Sequence, residues 1–507
     1  MMGRGRLRSC RRGGAWARLR RPWIGGLLLP LLAGCAVGPD FHAPAAPSDA
    51  GFTHSALPDP TVSSPVKGGE AQSFTTGAVS YRWWELFRSP EIDRLVEQAL
   101  RANPDLQSAQ AALRSARENF YAARGALYPQ VSIDLNASRQ KNPVVLASPL
   151  SSNANYFGLN TAQLDISYSP DLFGGVRRQI EANAAQADNQ LFTSEATYLS
   201  LTTNVVLAAL QEASLREQIE ATRRSIAIAE TLLADLRFAR KAGQTAEGDV
   251  AAQESVLAQA RLLLPPLEKQ LAQQKDLLAV LTGGTPNTMP DDTVELDGVT
   301  LPTDLPLSLP SQIVAQRPDI RAAAANLHVA SALVGVAQAN RLPNITLTAL
   351  LGGTSNGFDN LFTADNSLYT LGAGLTQPIF QGGALLHRKR AAQAAYAQAQ
   401  AVYRSTVHQA FQNVADTLQA LDQDARNLQA AVQAQTAAAR SLALLRQAFQ
   451  AGEVGSVAVL NAEQADESAV AVLVQARAAR YADTVALFQA LGGGWGDRAG
   501  LDIASAR

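Results

Sequence analysis

The chain has 507 residues, 47% of them apolar and 17% charged, with 43 Lys+Arg against 44 Asp+Glu. There is enough apolar material to bury a core, so broad disorder is excluded. The first 34 residues hold eight Arg and no acid, which leaves 35 basic and 44 acidic residues beyond them, a balance of −9 that argues against nucleic-acid binding.

Met1–Arg21 is Arg-rich, and Pro22–Gly34 is a mostly apolar run of 13 residues. A bilayer span needs about 20 apolar residues, so this run is too short to cross one. Basic stretch, short apolar stretch and small residues together read as a secretory signal over residues 1–34. The run ends Leu32-Ala33-Gly34-Cys35, which resembles a bacterial lipobox. That resemblance implies lipidation of Cys35, with diacylglycerol on sulfur and an N-acyl chain. At ~0.8 kcal/mol per buried CH₂, several chains anchor a protein stably where one does not. Ala36 stands where an Asp would signal inner-membrane retention, so sorting to the outer membrane is implied. Cys10 leaves with the leader, and no disulfide remains possible. Residues 35–86 form the lipidated N-terminal extension.

Residues 87–284 read as a first repeat. Ile92, Leu95, Val96, Ala99 and Leu100 share one helical face. Val131, Ile133, Leu135 and Ala137 then alternate with Ser132, Asp134, Asn136 and Ser138, as a strand requires. After a polar loop, Ala162, Leu164, Ile166 and Tyr168 alternate with Thr161, Gln163, Asp165 and Ser167. Next, Val176–Ala242 runs 67 residues without Gly or Pro, which as helix spans about 100 Å. Its heptad track passes Leu191, Tyr198, Leu201, Val205, Ala208, Leu215, Ile219, Leu233 and Leu236, so supercoiled neighbours are expected. Gly243 reads as a left-handed cap at a tight turn. A returning helix follows, and Pro265-Pro266 should break it.

Residues 285–310, rich in Pro and Asp, read as a linker. Residues 311–494 then repeat the unit. Arg317-Pro318-Asp319-Ile320 matches Asn103-Pro104-Asp105-Leu106 at an offset of 214, and Gly452 matches Gly243 at 209. Ile345, Leu347 and Ala349 open one strand; Tyr369, Leu371, Ala373 and Leu375 form its partner. Pro129, Pro170, Pro343 and Pro378 stand at the four helix–strand joints, where proline is tolerated. The second long helix carries the track Val407, Phe411, Val414, Leu418, Leu421, Ala425, Leu428 and Val432. Residues 495–507 are a C-terminal tail.

Four strands, each apolar on one face and polar on the other, suit a wall between lipid and water. They are too few to close a barrel alone, because open edges cannot face lipid and such barrels start at eight strands. Two chains give eight strands and three give twelve. The polar face includes Asp134 and Asp165, each repeated around a shared barrel. Ordinary solvation of the lumen is the plainer reading; a cation-favouring ring is the sharper one.

Cys35-Ala36-Val37-Gly38-Pro39-Asp40-Phe41, Trp83-Trp84-Glu85-Leu86-Phe87, Arg317-Pro318-Asp319-Ile320, Gln377-Pro378-Ile379-Phe380 and Ala490-Leu491-Gly492-Gly493-Gly494-Trp495 resemble the NodT family. These are outer-membrane efflux lipoproteins related to TolC. The resemblance implies a mixed α/β membrane protein with two tandem repeats. Four membrane β-strands and very long coiled-coil helices per chain would form a shared 12-stranded trimeric β-barrel with a periplasmic α-barrel. It also implies a periplasmic adaptor and an inner-membrane RND-type pump as partners, in contact with outer-membrane lipid. The chain would be the passive exit duct for drugs or other small toxic molecules. Residues 139–157 and 352–368 would be extracellular loops, with Gly243 and Gly452 at the periplasmic tip.

Relatives often close that tip with a Tyr, an Arg and a ring of Asp. Here Phe449 takes the Tyr-like place, Val454 the Arg place and Asn461 the Asp place, with Val457 one turn towards the tip. Asp249 keeps its acid but lacks a phenol partner. The expected constriction is Asp249, Phe449, Val457 and Asn461, with Arg240, Lys241, Arg446 and Glu453 as candidates for ion pairs.

No His-Glu-x-x-His, Walker loop or Gly-x-Ser-x-Gly occurs, so no enzyme, metal site or cofactor is expected beyond the lipid. His387-Arg388-Lys389-Arg390 reads as a solvated or headgroup-facing surface. Two rival readings are the exit duct of a type I protein-secretion system and a non-conducting coiled-coil lipoprotein.

Overall fold

The computed structural model describes residues 36–45, 51–53, 58–77, 79–143, 145–146, 152–288, 294–308 and 310–495. The signal segment, Cys35 and the tail after Trp495 lie outside the described residues.

In chain order come β1 (Ser73–Thr75), α1 (Pro90–Ala102), α2 (Pro104–Arg124), β2 (Gln130–Lys141), β3 (Tyr156–Tyr168), α3 (Gly175–Lys241) and α4 (Glu247–Leu281). The second half gives β4 (Asp304–Pro306), α5 (Pro310–Gln316), α6 (Pro318–Ala339), β5 (Asn344–Ser355), β6 (Ser367–Thr376), α7 (Ala384–Gln450) and α8 (Ser456–Ala490). The duplication is plain in these bounds: α3 and α7 have 67 residues each, and α4 and α8 have 35 each. Pro129 and Pro343 directly precede β2 and β5, while Pro170 and Pro378 follow β3 and β6 by two residues.

The strands pair antiparallel in the order β2-β3-β5-β6. Nearest the sheet, the helices pack in the matching order α2-α3-α6-α7; towards the far end the order is α4-α3-α8-α7. Each chain is therefore a slab four elements wide along its whole length. One open edge is β2, α2 and α4; the other is β6 and α7. The heptad tracks explain this order. On α3, Leu191, Tyr198, Leu201, Val205, Ala208, Leu215, Ile219, Leu233 and Leu236 are all buried, as are Val407, Val414, Leu418, Leu421, Leu428 and Val432 on α7.

The main core lies midway. Trp83, Trp84 and Phe87, from a short 3₁₀ turn, pack with Phe488 and Tyr481 of α8 and Tyr198 of α3. Among the described residues one helix, α6, is apolar and long enough to cross a membrane, but it is packed between α3 and α7.

Three expectations need correction. Pro265 and Pro266 do not break the returning helix, because α4 continues through both. The stretch is solvent-exposed, with Leu262 and Leu263 largely uncovered, so carbonyls that lose an N–H partner can reach water. The outer loops are shorter than 139–157 and 352–368, since β2 runs to Lys141 and β5 to Ser355. Ladder pairing needs backbone groups only, so a strand can outrun its apolar band. Finally, segment 285–310 is more than a tether. Its Val294, Leu296, Val299, Leu301 and Leu305 are buried in the main core, and β4 pairs in parallel with β1.

Candidate functional site

The sheet register decides which side chains share a face. Val131, Ile133 and Leu135 lie opposite Ile166, Leu164 and Ala162. These in turn face Ala349, Leu351 and Gly353, and Leu371 and Tyr369 continue the row. All four strands therefore put most of their apolar residues on one side, with Leu159, Leu350 and Leu368 among the exceptions. On a single chain most of that side is open: Ile133 is 71% exposed and Leu371 73%, although Ala162 is buried. The other side is polar. Asp134 lies opposite Gln163, and Asp165 lies opposite Ser132, so the two acids are diagonal neighbours. Gln163 Nε2 donates to Asp165 at 3.0 Å. Asp134 and Asp165 thus stand two residues apart in register on neighbouring strands.

At the foot of the sheet, the residues after Cys35 are docked. The Val37 N–H donates to the Phe173 carbonyl at 3.0 Å. Arg178, almost fully buried, donates to the Val37 carbonyl at 3.3 Å, to Asp40 at 2.6 Å and to Glu181 at 2.8 Å. That guanidinium holds the Asp40 carboxyl below its usual range. Phe41 stacks on His328 at 4.3 Å between centroids, and His328 Nε2 lies 2.8 Å from Glu181. The fit needs small residues, because a Cβ on Gly335 would come within 2.9 Å of the Val37 carbonyl. Ala36 and Val37 therefore lie beside the β3–α3 joint. No local signal in the sequence announces this clamp, since Asp40 and Arg178 are 138 positions apart.

Midway along, residues 58–77 strap α8. Gln72 Nε2 donates to the Pro302 carbonyl at 2.9 Å and to Thr484 at 3.0 Å. Arg480, fully buried, donates to the Glu70 carbonyl at 2.5 Å. One turn on, Asp483 meets Asp424 of α7 carboxyl to carboxyl. Burial first, and the Asp424 charge second, push the Asp483 carboxyl up to about 7. A carboxyl raised above its ordinary 3.8 favours the fold in its acid form, so stability should decline as pH rises from 3.8 towards 7. Asp483→Asn should melt above the parent at pH 8 and level with it at pH 4. An unchanged difference across that range, by thermal melts in detergent, would show that Asp483 does not carry the titration.

At the far end, both turns have the same left-handed cap. Gly243 and Gly452 have φ of 76° and 77°. Gly243 and Gln244 N–H groups bond Arg240 and Ala239 carbonyls; Gly452 and Glu453 repeat this on Phe449 and Ala448. Asp249 is engaged locally. It accepts from Thr245 Oγ1 at 2.7 Å and the Ala246 N–H at 3.2 Å, and these bonds lower its pKa. Phe449, Val457 and Asn461 are exposed on the single chain, the last two one turn apart on α8. Of the four candidates for ion pairs, Arg240 bonds Glu247 and Arg446 bonds Glu463 at 2.7 Å, each across its own hairpin. Arg237–Glu254, Arg261–Glu230 and Arg223–Glu268 continue the α3–α4 series at 2.7, 2.5 and 2.7 Å. Such exposed pairs are each worth under about 1 kcal/mol.

A family model described as outer membrane efflux protein matches residues 95–284 and 309–493. The pyoverdine export outer membrane protein OpmQ of Pseudomonas putida is 32% identical over 345 residues, covering 67% of this chain and 72% of that one. The toluene efflux pump outer membrane protein TtgF of the same species is 30% identical over 400 residues, covering 79% and 81%. Among solved structures, the outer-membrane channel OprN superposes with a TM-score of 0.77 at 26% identity, covering 91% of this chain and all of that one. Two matched repeats spanning most of the sequence, and a fold shared end to end with an outer-membrane channel, lead to one conclusion: the chain belongs to the outer membrane efflux protein family.

Proposed function

We propose that three copies of this chain share one tube and form the exit duct of a tripartite efflux system. Membership of the family makes the chain an outer-membrane efflux channel; the proposal concerns its assembly and parts. One observation carries it. The slab is open on the same two edges from β2 and β6 to the helix tips, with an apolar sheet face mostly uncovered. β2 and β6 run in opposite directions, so β6 of one copy can pair with β2 of the next. Three copies of four strands give a twelve-stranded barrel, and four helices per level give a twelve-helix sleeve beneath it.

In this reading residues 87–284 and 311–494 are the duct repeats and 285–310 joins them. Residues 142–155 and 356–366 face outward from the cell. Cys35 carries the lipid, two residues ahead of the Val37 that Arg178 holds at the barrel foot. Asp134 and Asp165 line the lumen. A periplasmic adaptor and an inner-membrane RND-type pump would deliver drugs or other small toxic molecules. The periplasmic tip, turned at Gly243 and Gly452, closes on Phe449 and Val457, with Asn461 as a neutral ring and Asp249 capping α4 beside it.

Native mass of the detergent-extracted mature protein tests the assembly: a trimer is expected, and a monomer overturns the shared barrel. In planar bilayers, Asn461→Asp should raise cation preference by adding three charges at one level, and Val457→Ser should raise conductance. If neither parameter moves, these residues do not line the constriction.

A further inference from the structure

The outer end of the sheet carries a feature that conduction does not use. On β2 the residues following Val131, Ile133, Leu135 and Ala137 on the apolar face are Arg139 and Lys141. Both are exposed. Their opposite numbers on β3 are Gly158 and Tyr156. Gly158 leaves space, and the Arg139 guanidinium lies over the Tyr156 ring, 4.8 Å from its centroid. Among the described residues, neither cation pairs with a carboxylate.

The loop between β5 and β6 is folded down on this same face. A Cβ on Gly353 would meet the Leu361 carbonyl, and one on Gly158 would lie 3.5 Å from the Asn356 carbonyl. Gly353, Gly158 and the loop-bound Ser355 all belong to the apolar side. Leu361 is buried there, while Phe358 and Phe362 stand 72% and 79% exposed. Irregular backbone cannot face hydrocarbon, because its polar groups would go unpaired. The loop therefore marks the level where hydrocarbon gives way to polar headgroups, and Arg139 and Lys141 sit at that level.

We propose that Arg139, Lys141 and Tyr156, flanked by Phe358 and Phe362, form a binding site on the barrel's outer wall for a phosphorylated glycolipid headgroup of the outer leaflet. This rests on the reading of the apolar face as lipid-facing. A cation on that wall needs an anion at the same depth, and a phosphate meets the Arg fork with two parallel bonds. The acyl chains then lie along Val131 and Ile133, below the row of Gly353, and the two Phe rings enter the headgroup boundary as interfacial aromatics do.

The acids nearest in sequence to this rim are Asp359 and Asp365, both exposed on the folded loop. Asp365 of a neighbouring copy would approach β2 across the seam and offers a rival partner. The orientation of Arg139 favours lipid: it leans over Tyr156 on its own β3, away from the open edge.

The test uses the trimer purified in detergent and stripped of lipid. Diphosphoryl lipid A, monophosphoryl lipid A or phosphatidylethanolamine is added, and bound copies are counted by native mass spectrometry. Diphosphoryl lipid A should be retained best, and the Arg139→Gln/Lys141→Gln double variant should bind it about tenfold or more weakly. Equal retention by the variant, or equal retention of phosphatidylethanolamine by the parent, overturns the site. If the double variant and Asp365→Asn both dissociate the trimer and neither loses lipid, the cations serve the seam instead. The same spectrum reports subunit number, so a failed shared barrel shows up separately as monomer.

Discussion

Ile133→Arg should abolish the assembled channel, whereas Asn136→Arg, three positions on and facing the other way, should leave it assembled. Ile133 lies in the middle of the apolar band and is 71% exposed on the single chain. An Arg on a lipid-facing wall near mid-bilayer costs about 2–4 kcal/mol, and the proposed trimer would carry three. The yield of trimer, read by native mass or by heat-modified mobility on a gel, should collapse. Asn136 is on the polar face, opposite Thr161, where an Arg is hydrated. There the expected change is one of conduction, with cation preference reduced beside Asp134 and Asp165. If the two substitutions have equal effects on assembly, the sheet does not separate lipid from water.

Trp83→Ala should be the most damaging change outside the sheet. Trp83 is fully buried against Trp84, Phe87 and Phe488, where the extension, α8 and the first repeat meet. Removing an indole from such a core costs about 3–5 kcal/mol, through lost burial and the cavity left behind. The loss should appear as a lower melting temperature and as rapid proteolysis between residues 58 and 77. Trp83→Phe, which keeps a ring in the space, should recover most of it. A variant that melts with the parent would show that the strap around α8 does not depend on this core.

What was legible in the sequence follows from local rules. Val131 to Ser138 alternates with period two, and a β-strand is the conformation that sends alternate side chains to opposite faces. Gly243 and Gly452 end long Gly-free runs, and both adopt the positive φ that Gly tolerates best. The heptads of α3 and α7 showed which side would be buried. What was not legible depends on distant partners. Pro265-Pro266 reads as a break until the helix is seen to be held by its packing on α3. Val294, Leu296 and Leu305 sit in a Pro- and Asp-rich stretch whose role in the core is set by α8 and by β1. The clamp of Arg178 on Asp40, and the meeting of Asp424 with Asp483, join residues on separate elements and leave no periodic trace. At the tip, Arg240 and Arg446 had carboxylates available in several directions, and only the hairpin geometry selects Glu247 and Glu463.

The far hairpin of the first repeat is held by a small cluster: Ala229, Leu232, Leu233, Leu236, Val250 and Leu257. The membrane end, by contrast, is tied strand to strand through backbone hydrogen bonds. The slab is therefore mechanically graded, stiff where it meets lipid and compliant where it ends. A torque applied anywhere along the duct would be absorbed at the tip, by sliding of α4 over α3 and exchange of weak ion pairs. The four-stranded sheet would hardly strain. In the proposed trimer, a partner gripping the hairpins would thus dilate the tube there while the bore at the sheet stays fixed.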